Sequence, residues 1–455
     1  MKLRRFRQIR NRNNMKLFFI SLGCDKNLVD SEQMLGLLER SGYVITDDEN
    51  EADVIVVNTC CFIGDAKEES IQNILEMGQL RTEGKCRALI VTGCLAQRYR
   101  QEILEEIPEV DCILGTMSYD KIVQAIDTVL RGEKFALFDD IDRSVMPSQG
   151  RLLTTGGHYA YLKIAEGCDK HCTYCVIPSV RGRYRSFPME DLVREAEILA
   201  EGGVKELILV AQETSLYGTD LYGKKSLHTL ISRLAAIPGI VWIRVLYCYP
   251  EEIYDELIDT MAAEKKFCHY LDLPIQHASD EILRRMGRRT TRSDLVRIIE
   301  KLREKVPDII LRTTLITGFP GETQEQHEEL MEFIDEMEFD RLGVFTYSQE
   351  EDTPAAAMEG QIPEEVKKQR QEELMELQQE IAFDLSERKV GQEMLVMVEG
   401  KVSGENAYVC RTYGDAPGVD GYLFLNTGEE LMSGDFARVR VTGACEYDLI
   451  GELIE

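Results

Sequence analysis

The chain has 455 residues, 44% hydrophobic and 29% charged, and its excess of acidic side chains gives a formal net charge of −28. This length exceeds what one hydrophobic core organises and predicts roughly three domains, while no apolar run approaches the ~20 residues that cross a bilayer. So strong a negative charge argues against a general nucleic-acid binder, which neutralises phosphates with clustered Lys and Arg, and favours a basic partner.

Residues 1–14, MKLRRFRQIRNRNN, hold six basic and no acidic side chains and lack the apolar stretch and cleavage site of a secretory signal. They read as a basic disordered extension on a cytoplasmic protein without membrane contact. Without them the net charge deepens to −34.

From residue 15 to about 140, short apolar runs (KLFFISL, ADVIVVN, RALIVTG, DCILG) alternate with amphipathic helical stretches. That alternation predicts an α/β domain with a doubly wound parallel sheet. A second series spans 154–388: YAYLKIA, KELILVAQ, VWIRVLY, HYLDLPI, IILRTTLITG and RLGVFTYS. Six such units predict a partial (β/α)6 barrel, followed by a charged connecting helix over 363–388. From 389 to 455 the pattern changes to alternating strands separated by Gly, Asn and Asp turns, which predicts a small antiparallel β-barrel.

Thirteen cysteines without a secretory signal point to ligation or catalysis, because cytosolic thiols stay reduced. The segment EGCDKHCTYCVIP sets Cys168, Cys172 and Cys175 in a C-x-x-x-C-x-x-C array just after the first strand of the second series. Three thiolates on a four-iron cube leave one iron open to an outside ligand. Zinc is the alternative, but its sites usually complete four ligands and no matching pair lies nearby. His171, inside the array, reads as a spacer. A second trio, Cys24 in SLGCDKN, Cys60 in VNTCCF and Cys94 in VTGCLA, follows three expected strands. Open parallel sheets form their ligand sites outside the carboxyl ends of strands, so these thiols are expected to meet and hold a second cluster. Cys61 reads as packing, and Cys86, Cys112, Cys248, Cys268, Cys410 and Cys445 as core filling.

Weaker candidates complete the set. Gln212 and Glu213 end the strand LILVAQE, where barrels present cofactor-binding groups. Tyr174 and the turn at Gly318–Gly321 are expected to border the cofactor, and Arg181, Arg183 and Arg185 form a basic cluster suited to carboxylates of cofactor or substrate. An ordinary exposed loop is the alternative for Gln212 and Glu213, turn chemistry for the glycines, and a solvated loop for the arginines.

With these motifs in order, the chain from Met15 onward resembles the radical S-adenosylmethionine methylthiotransferase family. The resemblance implies that Cys168, Cys172 and Cys175 hold a 4Fe-4S cluster that binds and cleaves S-adenosylmethionine to a 5'-deoxyadenosyl radical. It implies that Cys24, Cys60 and Cys94 hold an auxiliary 4Fe-4S cluster, from which sulfur is delivered and then methylated by a second S-adenosylmethionine. Gln212, Glu213 and Tyr174 are then candidate S-adenosylmethionine contacts. The terminal barrel resembles a TRAM domain, and a reducing electron-transfer protein is implied as a partner. No protein acid or base is assigned a catalytic role.

The segments SLGCDKNLVDSE and CRTYGDAPGVDG resemble the branch called RimO, which modifies the β-carbon of an aspartate in the small-subunit ribosomal protein S-twelve. From Glu387 to Glu455 there are thirteen acidic and six basic residues, which suits a basic protein better than RNA. Methylthiolation of a modified adenosine in transfer RNA is the alternative. A two-cluster electron carrier of ferredoxin type is disfavoured because Cys175 is followed by Val176, not by the expected fourth cysteine and proline pattern.

Overall fold

The computed structural model describes residues 14–145 and 150–454. The basic extension expected over 1–14 lies outside these residues, Asn14 excepted. The chain divides into two compact units, Met1–Thr154 with Glu166–His171 and Cys175–Phe187, and Thr155–Ala165 with Cys172–Tyr174 and Pro188–Glu455.

The first unit is built on six parallel strands, β1 (Lys16–Ser21), β2 (Val44–Ile45), β3 (Val54–Thr59), β4 (Ala88–Gly93), β5 (Cys112–Leu114) and β6 (Phe135–Leu137), in the order 2-1-3-4-5-6. Every residue of β3 and β4 is buried, because helices cover both faces and leave no solvent side for alternation. α1 (Asp25–Arg40) packs Met34, Leu35 and Leu38 on one face, while α2 (Gly64–Glu83) and α3 (Cys94–Glu106) pack Ile74, Met77 and Ile103 on the other. α4 (Ile122–Val129) joins α1's face. The strand order therefore reverses between β1 and β3, and such a switch point opens a crevice at the carboxyl ends of its two strands. Beyond this sheet the unit carries the short helix α5 (Ile177–Arg181).

In chain order the second unit holds β7 (Tyr159–Lys163), β10 (Glu206–Val210), β11 (Trp242–Val245), β12 (Phe267–Asp272), β13 (Ile310–Thr317) and β14 (Arg341–Thr346), while the two-residue strand β8 (Ala165–Glu166) runs from it into the first unit, which holds β9 (Arg185–Ser186). The long strands form one parallel sheet in the sequential order 7-10-11-12-13-14, the partial barrel that six units predict. The expected connecting helix is Glu364–Glu387, and it does more than connect. From positions on one side of it Lys367 Nζ donates to Tyr347 O (2.9 Å), Gln371 Nε2 to Val344 O (2.7 Å) and Gln378 Nε2 to Phe339 O (2.7 Å). Those carbonyls lie in or beside β14, an edge strand that pairs with β13, so the helix satisfies acceptors that would otherwise invite another strand.

The terminal strands β15 (Glu393–Lys401), β16 (Ala407–Thr412), β17 (Leu423–Asn426), β18 (Phe436–Cys445) and β19 (Asp448–Leu453) form a closed barrel. All its pairs are antiparallel except β17 with β19, which closes the ring in parallel. Along β18, Ala437, Val439 and Val441 point in while Arg438 and Arg440 point out, the period of two that a one-sided core imposes.

A buried ionic network joins the two barrels of this unit. Glu206, the first residue of β10, receives Arg244 Nε on one oxygen (2.8 Å) and Arg411 Nη2 on the other (2.7 Å), with none of the three side chains exposed. Arg411 also meets Glu399 (2.7 Å), which bonds His158 (2.9 Å). Arg341 meets Asp415 (2.6 Å), and the Tyr270 hydroxyl donates to Asp420 (2.7 Å). Glu206 and Arg341 begin their strands, so the terminal barrel seals the amino-terminal end of the larger one and leaves the carboxyl end for chemistry. Burial alone would raise the Glu206 carboxyl, but the Arg411 and Arg244 guanidiniums outweigh it and hold it below its ordinary range. A depressed carboxyl stabilises the fold above its unfolded pKa, and that stability is lost only as pH falls through the folded value. Glu206→Gln leaves the buried Arg244 guanidinium without its anion and Arg411 with Glu399 alone, so thermal or urea unfolding of this variant at neutral pH is expected to show a loss of about 3–5 kcal/mol.

Candidate functional site

Register brings the N-terminal cysteines to one edge. Ser21 pairs with Asn58 across β1 and β3, and Thr59 pairs with Gly93 across β3 and β4. Cys60 and Cys94 therefore leave neighbouring strands at the same level, and Cys24 leaves β1 beside them, on both sides of the switch point. Cys24 caps α1 and Cys94 opens α3, so two helix amino termini point at the thiols and favour negative charge there.

Two glycines make this convergence possible. Gly23 (φ +89°) and Gly93 (φ +93°) lie in the left-handed half of φ space, just before Cys24 and Cys94. A Cβ on Gly23 would sit 2.7 Å from Cys60 Cβ and 2.8 Å from its Sγ, and one on Gly93 would sit 2.4 Å from Thr59 O. Asn27 ties the turns together, its Nδ2 donating to Leu22 O (2.5 Å) and Thr59 O (3.3 Å).

The three thiols act on one another. Burial pushes the Cys60 thiol up to about 12, the Cys94 and Cys24 charges push it the same way, and the Phe62 N–H and Arg181 oppose them. Burial likewise raises Cys94, with Arg181 the main opposing influence. Two buried thiols, Cys60 and Cys94, with the half-buried Cys24 beside them, form a site that cations would relieve of repulsion between thiolates. Cys61 packs in the apolar core of the α2–α3 face, which Cys94 also borders.

The arginine cluster is split. Arg181 is 1% exposed, whereas the Arg183 side chain is 84% exposed. Arg183 and Arg185 both lie against Asp142. Arg181 Nη1 donates to Asp30 (2.7 Å) and approaches Glu166 (3.4 Å), Nη2 donates to Asn27 Oδ1 (2.9 Å), and Nε donates to Cys94 Sγ (3.3 Å). The carboxylates Arg181 meets are thus the chain's own, a correction for that residue to the expectation of cofactor or substrate carboxylates or a solvated loop, while Arg183 is exposed as a loop residue is expected to be.

The C-x-x-x-C-x-x-C array runs through both units. In the first, Cys168 is buried, its N–H donates to Gly182 O (3.1 Å), and its Sγ accepts from Lys170 N (3.4 Å). Cys175 there is half-buried and His171 exposed, as suits a spacer. In the second unit Cys172 is buried, and its Sγ lies 3.2 Å from Tyr249 Oη. The Arg288 guanidinium stacks 4.1 Å from the Tyr249 ring centre. Glu213 is fully buried after β10, accepting from Ser215 N (2.8 Å) and, more weakly, Tyr249 N (3.5 Å), so it fixes the loop that brings Tyr249 to Cys172. Gln212 beside it is half-buried. Tyr174 packs against the apolar cluster of Ile282, Met286, Phe319, Tyr347 and Ala355, to which the Gly318–Gly321 turn contributes Phe319.

Among the described residues no group of three or more His, Cys, Asp and Glu side chains is placed to hold a single metal ion. A four-iron cube is gripped at its corners, so its thiolates need not close on one point. Cys86, Cys112, Cys248, Cys268 and Cys410 are buried as expected, but Cys445 is exposed, because it ends β18 beyond the barrel core. Sequence reading missed Asn27, Tyr249, Arg288 and the repeated Gly-Cys pairs. Only the pairs had a visible signal, in SLGC, VTGC and AEGC.

Family models match the chain over residues 16–115 (Uncharacterized protein family UPF0004), 162–334 (Radical SAM superfamily) and 390–454 (TRAM domain). The chain is 64% identical over 437 residues to the ribosomal protein uS12 methylthiotransferase RimO of Lachnoclostridium phytofermentans, covering 96% of this chain and 99% of that one. It is 52% identical to the RimO of Pelotomaculum thermopropionicum over 97% of this chain and 99% of the relative. The chain belongs to the RimO family. Among solved structures, the radical S-adenosylmethionine methyltransferase TsrM from Kitasatospora setae superposes with a TM-score of 0.55 over 75% of this chain and 74% of its own, at 14% identity, a likeness of fold.

RimO-family enzymes are radical S-adenosylmethionine methylthiotransferases that use S-adenosylmethionine and 4Fe-4S clusters, and a count of two clusters agrees with the family. The Cys24, Cys60 and Cys94 site fits such a group, with two buried thiols and one half-buried thiol, two helix amino termini and a glycine cradle at one sheet edge. Gly23→Ala pushes a methyl group into Cys60 and strains a left-handed turn. Anaerobically reconstituted Gly23→Ala is therefore expected to hold fewer irons than the parent, toward about four per chain instead of about eight, by colorimetric iron assay.

Proposed function

We propose that this protein attaches a methylthio group to the β-carbon of an aspartate of ribosomal protein uS12 in the cytoplasm. In this reading Cys168, Cys172 and Cys175 hold the S-adenosylmethionine-binding cluster, Cys24, Cys60 and Cys94 hold the auxiliary cluster, and an electron-transfer protein supplies the electrons. The observation that carries the two-cluster reading is the convergence of Cys24, Cys60 and Cys94 at the switch point of the first sheet. The substrate is the one named for relatives aligned over nearly their whole length. The proposed domains are 15–140, 154–388 and 389–455.

When bound, the clusters and S-adenosylmethionine supply radical formation and sulfur, and the protein supplies position and exclusion of water. Tyr249 and Arg288 flank Cys172, and Glu213 fixes the loop that carries Tyr249. Tyr174, Gln212 and Glu213 are proposed to border S-adenosylmethionine. The acidic terminal barrel is proposed to face the basic substrate, but the sequence count overstates that face. Glu399, Asp415 and Asp420 are spent inside on His158, Arg411, Arg341 and Tyr270, while Glu405, Glu429 and Glu430 are exposed in neighbouring turns.

The reading is tested with reconstituted protein, S-adenosylmethionine, dithionite, and either uS12 or transfer RNA. The expected result is a methylthio mass increment on uS12 and none on transfer RNA. With Cys24, Cys60 and Cys94 all changed to Ala, 5'-deoxyadenosine is expected to form still, with about four irons retained and no methylthio product. An increment on transfer RNA alone overturns the substrate, and unchanged iron in the triple variant overturns the auxiliary site.

A further inference from the structure

Arg181 is among the most deeply buried large side chains of the chain, and no step assigned above uses it. Its guanidinium reaches all three segments that carry the N-terminal cysteines. It bonds Cys94 Sγ directly (3.3 Å), and through Asn27 Oδ1 (2.9 Å) it engages the side chain whose Nδ2 holds Leu22 O, two residues before Cys24, and Thr59 O, the residue before Cys60. Asp30 and Glu166 grip it from the other side. Its own backbone is fixed as well, since Arg185 Nη2 donates to Arg181 O (3.1 Å) and Thr116 Oγ1 to Val180 O (2.7 Å). A planar fork with five donors can serve a sulfur, an amide oxygen and two carboxylates at once, which an ammonium cannot do with the same geometry.

We infer that Arg181 is a positioning residue of the auxiliary centre, fixing the three cysteine turns and setting the cluster's reduction potential through its charge and its hydrogen bond to Cys94. The inference rests on the proposed cluster at Cys24, Cys60 and Cys94. Reduction adds negative charge to a buried group, so a nearby cation and an N–H···S bond favour the reduced state, and a nearby carboxylate disfavours it. Arg181 and Asp30 thus act with opposite sign on one centre. Their balance decides how readily the auxiliary cluster accepts an electron meant for the cleavage of S-adenosylmethionine.

The test isolates the auxiliary cluster in the full-length chain by changing Cys168, Cys172 and Cys175 to Ala, then follows its midpoint potential by redox titration with electron paramagnetic resonance. In that background Arg181→Met is expected to lower the potential and Asp30→Asn to raise it, each by at least about tenfold in the reduction equilibrium, or about 59 mV for one electron. Arg181→Lys, which keeps the charge and loses the fork, is expected to stay near the parent potential with less iron bound. A general disturbance of the fold moves both variants in the same direction, and that outcome, or potentials left at the parent value, overturns the inference. If Arg181→Met takes up no iron, the Asp30→Asn titration decides alone. A parent that binds no iron in this background sinks the cluster assignment, a different failure from an unshifted potential.

Discussion

Several thiolates can share a buried pocket only if something there offsets their mutual repulsion, and the first unit is organised around that constraint. A parallel sheet with its switch point between β1 and β3 brings the ends of strands that are distant in sequence to one edge. Glycines with positive φ turn the chain sharply enough for Cys24 and Cys94 to face Cys60. Two helix amino termini and the Arg181 guanidinium add positive potential, and the family's iron clusters supply the rest. Without these features the same cysteines would be the ordinary small core residues that Cys86 and Cys112 are.

In the second unit, charge is used as a seal. The Glu206–Arg244–Arg411 network is the kind of buried ion group whose desolvation cost is large, so its value lies less in net stability than in fixing one arrangement of terminal barrel on central barrel. The helix Glu364–Glu387 performs a related task at the open edge of β14, with Gln and Lys side chains standing in for a missing strand. With the amino-terminal end plugged and that edge covered, the carboxyl ends of the strands are left for Glu213, Tyr249 and the turn at Gly318–Gly321.

Much of this was legible in the sequence because long buried strands and their following cysteines carry strong periodic signals. β3 and β4 are runs of Val, Ile and Leu, and the alternation of β18 is unmistakable. β2 and β6 were missed, since two or three half-exposed residues have no period to read. The six cysteines were found by their positions relative to strands. Arg181 was not separable from Arg183 and Arg185, which are identical in type and spacing. What distinguishes it is a carboxylate 151 residues away in sequence, a purely tertiary fact.

The terminal barrel shows why counting charges misjudges a surface. Its acidic excess suggested a face for a basic partner, yet Asp415 and Asp420, in the segment CRTYGDAPGVDG, point into the interface with the central barrel. Asp415 is buried, and although burial alone would raise its carboxyl, Arg341 and then Lys389 hold it low. Asp415 neither attracts a partner nor repels nucleic acid, because its field is offset within a few ångströms by the Arg341 guanidinium beside it. The electrostatic argument about substrate therefore rests on the exposed acids, Glu405, Glu429 and Glu430 in neighbouring turns and Glu393, Glu446 and Glu452 elsewhere on the barrel, and on the exposed arginines of β18 that dilute them. It is a narrower argument than the composition offered, but one whose residues are all accessible to a partner.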